Sequence, residues 1–167
     1  MTYPFPTITL PDGTQAAEGN DVSRWQGPIG HGSYPHPVAV PKATGGDAGL
    51  YTDGRWVENA RGFADHDVIL GSYHFCSRAQ FDPVAEADHY VNTILNSAWA
   101  DRPAGKRLGP AADWEPTGGL VPDSASWLRR FIERCEDRTQ EPGSIYTAQW
   151  CRPIGAQADL AALATRP

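Results

Sequence analysis

The sequence predicts an α/β fold built on about five parallel strands. Three observations lead there. Segments patterned as strands alternate with segments whose apolar residues recur every three to four positions, and that alternation implies parallel pairing through crossovers. The strongest strand, 68–75, opens on the unbroken apolar run Val68-Ile69-Leu70, as expected of a strand covered on both faces. Asp21, Lys42, Tyr73, His74, Asp113, Glu115 and Tyr146 all fall at or near the C-terminal ends of strand segments, where such folds place their sites.

Residues 1–17 read as an irregular arm, with Pro4, Pro6, Pro11 and a turn at Asp12-Gly13, and 18–167 as the folded domain. A first strand covers about 19–23, and 27–36 is a Gly/Pro/His-rich loop. Val38-Ala39-Val40 is a second strand, running toward Lys42, and Thr44-Gly45-Gly46-Asp47 a loop. From 53 to 66, Trp56, Ala60, Phe63 and Ala64 recur at helical spacing. After strand 68–75, Asp82-Pro83 supplies an N-cap and a first-turn proline. Ala87, Tyr90, Val91, Ile94, Leu95 and Ala98 then form one apolar helix face. A strand carries Asp113-Trp114-Glu115, and Asp123 caps a helix with a buried stripe of Trp127, Leu128, Phe131, Ile132 and Cys135. Ser144-Ile145-Tyr146-Thr147 is the fifth strand, and 156–164 an Ala/Leu helix.

At 167 residues the chain fits one domain with a real core. Its net charge of −6 and scattered basic residues argue against nucleic-acid binding. No apolar run is long enough to cross a bilayer, and 1–6 lacks the pattern of a signal peptide. Cys76, Cys135 and Cys151 are odd in number and form no C-x-x-C pair, so neither a disulfide framework nor a zinc site is expected. His31 and His36 have no partner at ligand spacing. No metal and no cofactor is expected.

The chemistry centres on Asp113-Trp114-Glu115. In a strand, side chains two apart share a face, so Asp113 and Glu115 point together with Cα atoms about 7 Å apart, and Trp114 points away. Two neighbouring carboxyls shift each other's proton affinity, so one donates a proton while the other stays ionised, as glycosidic cleavage requires. By itself D-x-E is common and usually a solvated edge.

Four segments change that weighting: Asn20-Asp21-Val22-Ser23-Arg24-Trp25-Gln26-Gly27, Pro41-Lys42-Ala43-Thr44, Gly71-Ser72-Tyr73-His74-Phe75 and Asp113-Trp114-Glu115, with Ile145-Tyr146-Thr147 after them. In order and spacing they resemble the glycoside hydrolase family 25 muramidases, whose patterns are D-V-S-x-x-Q-G, K-A-T, G-x-Y-H-F and D-x-E. The resemblance implies a TIM-like β/α barrel that cleaves the β-1,4 bond between N-acetylmuramic acid and N-acetylglucosamine in peptidoglycan. It implies Glu115 as general acid and then base. Asp113 would hold the substrate acetamido group or stabilise positive charge, and Asp21 would support the pair. Tyr73, His74, Lys42, Trp25 and Tyr146 are the candidate substrate-binding residues, a hydrogen-bonded structural role being the alternative for His74; Trp25, Trp99, Trp127 and Trp150 are candidate sugar platforms, of which Trp127 is better explained as core and Trp25 and Trp150 lie near strand ends. A D-x-E pair on one strand is also similar to the family 18 chitinases, where the substrate's own acetamido group is the nucleophile. A substrate-assisted retaining route is therefore the expectation.

The sequence departs from the pattern twice. Gly45-Gly46 follow K-A-T where the family usually has an acid, a contact that Asp47 could supply instead. Five strand signals, where a closed barrel needs eight, predict an incomplete barrel with two open edges, completed by a second chain or a missing segment, the remaining alternative being a shorter, open α/β sheet. Activity of this chain alone is then in doubt, and the alternative is a non-catalytic cell-wall glycan-binding module. Without a signal peptide, the expectation is a phage endolysin held in the host cytoplasm until release to the wall.

Overall fold

In the computed structural model the residues described are 7–9, 13–76, 81–115 and 124–147. The amino-terminal arm, expected to be irregular, contains a hairpin: β1 (Thr7–Thr9) pairs antiparallel with β2 (Gln15–Ala17), apart from the main sheet. Gly13 turns the chain between them at φ +84, a region glycine enters without steric cost.

The main sheet is built from β3 (Gly19–Val22), β4 (Val38–Gly45), the short β5 (Tyr51–Thr52), β6 (Ile69–Phe75), β7 (Arg107–Asp113) and β8 (Ser144–Tyr146). Its order is β3-β4-β6-β7-β8 and every neighbouring pair on that path is parallel. The sheet is a part of a TIM-like β/α barrel with five parallel strands among the described residues. β4 is longer than the sequence suggested. Thr44 and Gly45 belong to it because they pair with His74 and Phe75 of β6 on one side and, on the other, β5, which the sequence did not reveal, folds back antiparallel on them.

Among the described residues three α-helices cover one face: α1 (Trp56–Asp65), α2 (Pro83–Leu95) and α3 (Ser124–Thr139). Asp82 caps α2 as predicted, accepting from the amides of Val84 and Ala85 at 2.9 and 3.2 Å. The apolar stripes meet under the sheet, where Trp56, Phe63, Tyr90, Val91, Ile94, Leu128 and Phe131 are buried. Leu95 departs from the expected stripe: as the last residue of α2 it lies at the rim and is partly exposed. The predicted cap Asp123 and helix 156–164 lie outside the described residues.

Tyr90 ties α2 to two strands. The ladder between β6 and β7 shifts register between Leu70 and Ser72. There the Tyr90 hydroxyl donates to the Ser72 carbonyl at 2.9 Å and accepts from the Ala111 amide at 3.1 Å. A phenol thus supplies the acceptor at the irregularity, satisfying a backbone donor that would otherwise be buried at a cost.

Candidate active site

Period two along the strands decides what meets what. Parallel pairing sets Lys42 beside Tyr73, Tyr73 beside Ala111, and Ala111 beside Ser144. One pleat further on, Phe75 is beside Asp113 and Asp113 beside Tyr146. Residues in these rows share the face opposite the helices. Asp21, Val40, Tyr73, Ala111, Asp113, Glu115, Ser144 and Tyr146 line a single cleft there of about 320 Å³. β7 ends at Asp113, so Glu115 stands just past the strand, yet the alternation persists. Trp114 turns away into the core, its ring 5.6 Å from that of Trp127.

Asp113 is the perturbed carboxyl. Withdrawal from water, then the neighbouring Glu115 charge, push its pKa up to about 7; Lys42 opposes the rise and Asp21 adds to it. Its buried Oδ1 has no hydrogen-bond partner among the described residues. The Tyr73 phenol is held above its ordinary value by burial, then by Asp21, Asp113 and Asp53, so it stays a donor. Tyr146 is 60% exposed at the mouth, and Glu115 foremost raises its phenol.

Lys42 is buried rather than presented to the cleft. Its Nζ sits 4.5 Å from the Phe75 ring centroid and 5.3 Å from that of Tyr51. Burial lowers its pKa against the pull of Asp47, Asp53 and Asp113. Lys42 therefore acts on the cleft as a charge behind Asp113.

His74 does not join the site. It directly follows Tyr73, so the same alternation turns it to the helix side, where it is fully buried. Its Nε2 lies 2.9 Å from Glu86 Oε2 and its Nδ1 2.7 Å from Thr44 Oγ1. Burial pushes its pKa down, so the ring is neutral: Nε2–H donates to Glu86 and Nδ1 accepts from the Thr44 hydroxyl. A register shift between Lys42 and Thr44 is what sets Thr44 opposite His74. Gly46 is where Glu86 approaches the backbone, since a Cβ there would stand 2.8 Å from the carboxylate.

The glycines after K-A-T have a related cause. A Cβ on Gly45 would fall on the Tyr51 ring, 2.5 Å from its oxygen. Tyr51 Oη donates instead to Asp47 Oδ1 at 2.9 Å, so the acid near this corner is Asp47. Trp25 is 77% exposed on a 3-10 turn, Arg24–Gln26, capped by Ser23. Trp99 is core, its indole donating to the Leu108 carbonyl at 3.0 Å, and Trp127 is likewise buried. Trp150 and Cys151 lie outside the described residues.

Sequence reasoning missed Asp53, Tyr51 and Arg24. Asp53 is buried, and its oxygens accept from the Arg24 amide at 3.3 Å and the Arg55 amide at 2.9 Å. It thereby pins the turn after β3 to the start of α1. The Asp53-Gly54 pair was the available signal, and it reads equally as an ordinary turn. A larger hollow of about 500 Å³ lies between α1 and the turn after α2, around Val57, Arg61, Asp65, Asp101 and Arg102. Of its charges, Arg61 pairs with Asp65 and Arg102 with Asp67. No group of three side chains able to hold a metal occurs among the described residues.

A part-barrel of parallel β/α units with carboxyls gathered at its C-terminal edge defines a protein of the β/α-barrel class with an acidic cleft where such folds place their sites. The chain belongs to the glycosyl hydrolases family 25, whose model matches residues 20–162. It is 29% identical over 151 residues to lysozyme M1 of Streptomyces globisporus, covering 84% of this chain and 49% of the relative. The chain thus spans about half the length of that curated relative. Among solved structures, the bacterial lysozyme of Streptomyces coelicolor aligns with a TM-score of 0.66 at 28% identity, over 81% of this chain and 65% of that one. The catalytic domain of an endolysin from a Listeria monocytogenes bacteriophage shares the fold, with a TM-score of 0.66 at 20% identity over 84% and 67%.

Proposed function

We propose that this chain is an N-acetylmuramidase that hydrolyses the β-1,4 bond between N-acetylmuramic acid and N-acetylglucosamine, acting on peptidoglycan at the bacterial cell wall. The observation that carries this reading is the meeting of Asp21, Asp113 and Glu115 in one cleft, with Asp113 keeping a proton up to about pH 7. Family membership and the likeness to two Streptomyces lysozymes support it.

In this mechanism the Asp113–Glu115 pair enters catalysis with one proton, which must sit on Glu115 when the bond breaks. Glu115 gives it to the leaving glycosidic oxygen while the substrate's acetamido oxygen attacks the anomeric carbon. The charge left on Asp113 faces the acetamido N–H as positive charge grows there. Water then opens the cyclic intermediate, losing its proton to Glu115, and configuration is retained. Asp21 adds negative potential and a polar contact. Tyr73 donates from the cleft wall, and Tyr146 and Trp25 offer aromatic faces to sugar rings at the mouth and rim. Lys42 tunes Asp113 from behind.

In cellular terms the reading is of an endolysin held in the host cytoplasm until release. β3 and β8 have no further strand beyond them among the described residues, and a second chain or further segment of the protein pairing with these edges completes the barrel. The test is clearing of purified cell walls together with release of reducing ends, for the chain and for Glu115→Gln. Walls that bind the chain yet stay turbid, with no new reducing ends, would overturn this reading in favour of a binding module.

A further inference from the structure

Around the cleft the fixed charges are mostly acidic: Asp21, Asp113, Glu115, and Asp47 and Asp53 behind them. Two cations stand among them and they differ. Lys42 is buried, and three carboxylates face it. Arg24, one turn past β3, is exposed, and its guanidinium forms no ion pair among the described residues. It is nonetheless held in place. Its Cζ lies 4.8 Å from the Trp25 ring centroid and 5.4 Å from that of Tyr51. Its backbone amide is fixed on Asp53 Oδ2 at 3.3 Å, and Tyr51 is itself held by its bond to Asp47. A cation pre-positioned between two rings, with its fork of donors open to water, is arranged to receive an anion rather than to satisfy one within the protein.

We propose that Arg24 is a specificity residue that reads a carboxylate on the muramoyl unit of the glycan. This rests on the muramidase reading and deepens it, because the muramoyl unit differs from N-acetylglucosamine in bearing an acid. That acid is either the lactyl carboxylate itself or, where the lactyl group is amide-linked to a stem peptide, a carboxylate of that peptide. Chitin-type glycans carry neither. In a cleft this acidic, an anionic substrate is repelled unless a cation meets its charge, and Arg24 is the cation placed to do so. The two rings limit the freedom Arg24 would lose on binding, which strengthens the contact.

The test reads binding on a Glu115→Gln background, so that complexes form without turnover. Three probes are titrated: wall glycan fragments with stem peptides, the same fragments stripped of peptide so that the lactyl carboxylate is free, and stripped fragments whose lactyl carboxylate has been amidated. Charge-assisted bonds of this kind contribute about 1.5–3 kcal/mol, so Arg24→Ala and Arg24→Gln should weaken binding of a carboxylate-bearing probe by roughly 10- to 100-fold. The amidated probe should bind both proteins alike. Loss with the first probe alone assigns the stem carboxylate, and loss with the second assigns the lactyl carboxylate. Equal losses on all three probes, or none on any, would overturn the proposal. Arg24→Lys, which keeps the charge without the planar fork, should recover part of the affinity. Turnover by the parent chain on walls is scored separately: carboxylate-dependent binding without turnover removes the hydrolase reading and leaves Arg24 as a glycan-reading residue.

Discussion

Asp113→Asn should stabilise the protein by an amount that grows with pH from about 4 and is complete above about 7. The carboxyl ordinarily titrates near 3.8 and is raised to about 7 in the fold. Between those values the folded chain keeps a proton that the unfolded chain has lost, so stability falls as pH rises through that window and levels off above it. The shift of about three units corresponds to at most about 4 kcal/mol. One side of Asp113 faces the water-filled cleft, and screening there brings the expected cost down to roughly 2 kcal/mol. Asn keeps the shape and the hydrogen-bonding capacity and removes the charge. Melts or urea titrations of both proteins at pH 4, 6 and 8 should show no gap at pH 4 and the full gap at pH 8. For a chain of this size that is about 4–8 °C in Tm. A gap that does not change with pH would show that burial does not perturb Asp113, and the electrostatic account of the cleft would fail with it. The same variant should lose wall lysis, since the charge needed beside the acetamido group is gone.

Glu115→Gln should leave folding nearly unchanged and lower lysis by about 10²–10⁴-fold, the usual contribution of a general acid; retained lysis removes Glu115 from the mechanism. Tyr90→Phe deletes the oxygen that serves Ser72 and Ala111 and should cost about 1–3 kcal/mol in urea unfolding; a change near zero would mean another acceptor takes over the Ala111 amide. Gly46→Ala drives a Cβ onto the Glu86 carboxylate and should destabilise by about 1–3 kcal/mol, read as a lowered Tm; an unshifted Tm would show that Glu86 is free to move. Amides of β3 and β8 should exchange with solvent faster than those of β6, the central strand, and equal protection would indicate that both edges are covered.

Much of this protein is legible from local pattern. Periodicity along 83–95 and 124–139 placed Tyr90, Ile94, Trp127 and Phe131 under the sheet, where they are buried. Asp82-Pro83 marked the start of α2 because capping is settled within a few residues. The alternation through Asp113-Trp114-Glu115 put both acids in one cleft and the indole in the core. Applied one strand earlier, the same alternation separates His74 from Tyr73: their shared strand end offers both as substrate contacts, with a hydrogen-bonded structural role as the alternative for His74, and the pleat sets them on opposite faces with His74 buried against Glu86.

The sequence by itself therefore determined the three described α-helices, the parallel pairing of the strands and which acids share an edge, because each depends on spacings a few residues long. What tertiary structure decided are the contacts between segments far apart in the chain. Gly45 is a glycine because the Tyr51 ring lies on it once β5 folds back. Lys42 loses its place in the cleft because Phe75 and Tyr51 close over its ammonium group. Arg24 is held open because the ring of Tyr51, brought in by β5, joins that of its neighbour Trp25 in flanking it. Asp113 holds its proton because burial and Glu115 act on it together. Proton affinity and side-chain exposure depend on distance through space and on the water excluded, and neither quantity exists until the chain has folded.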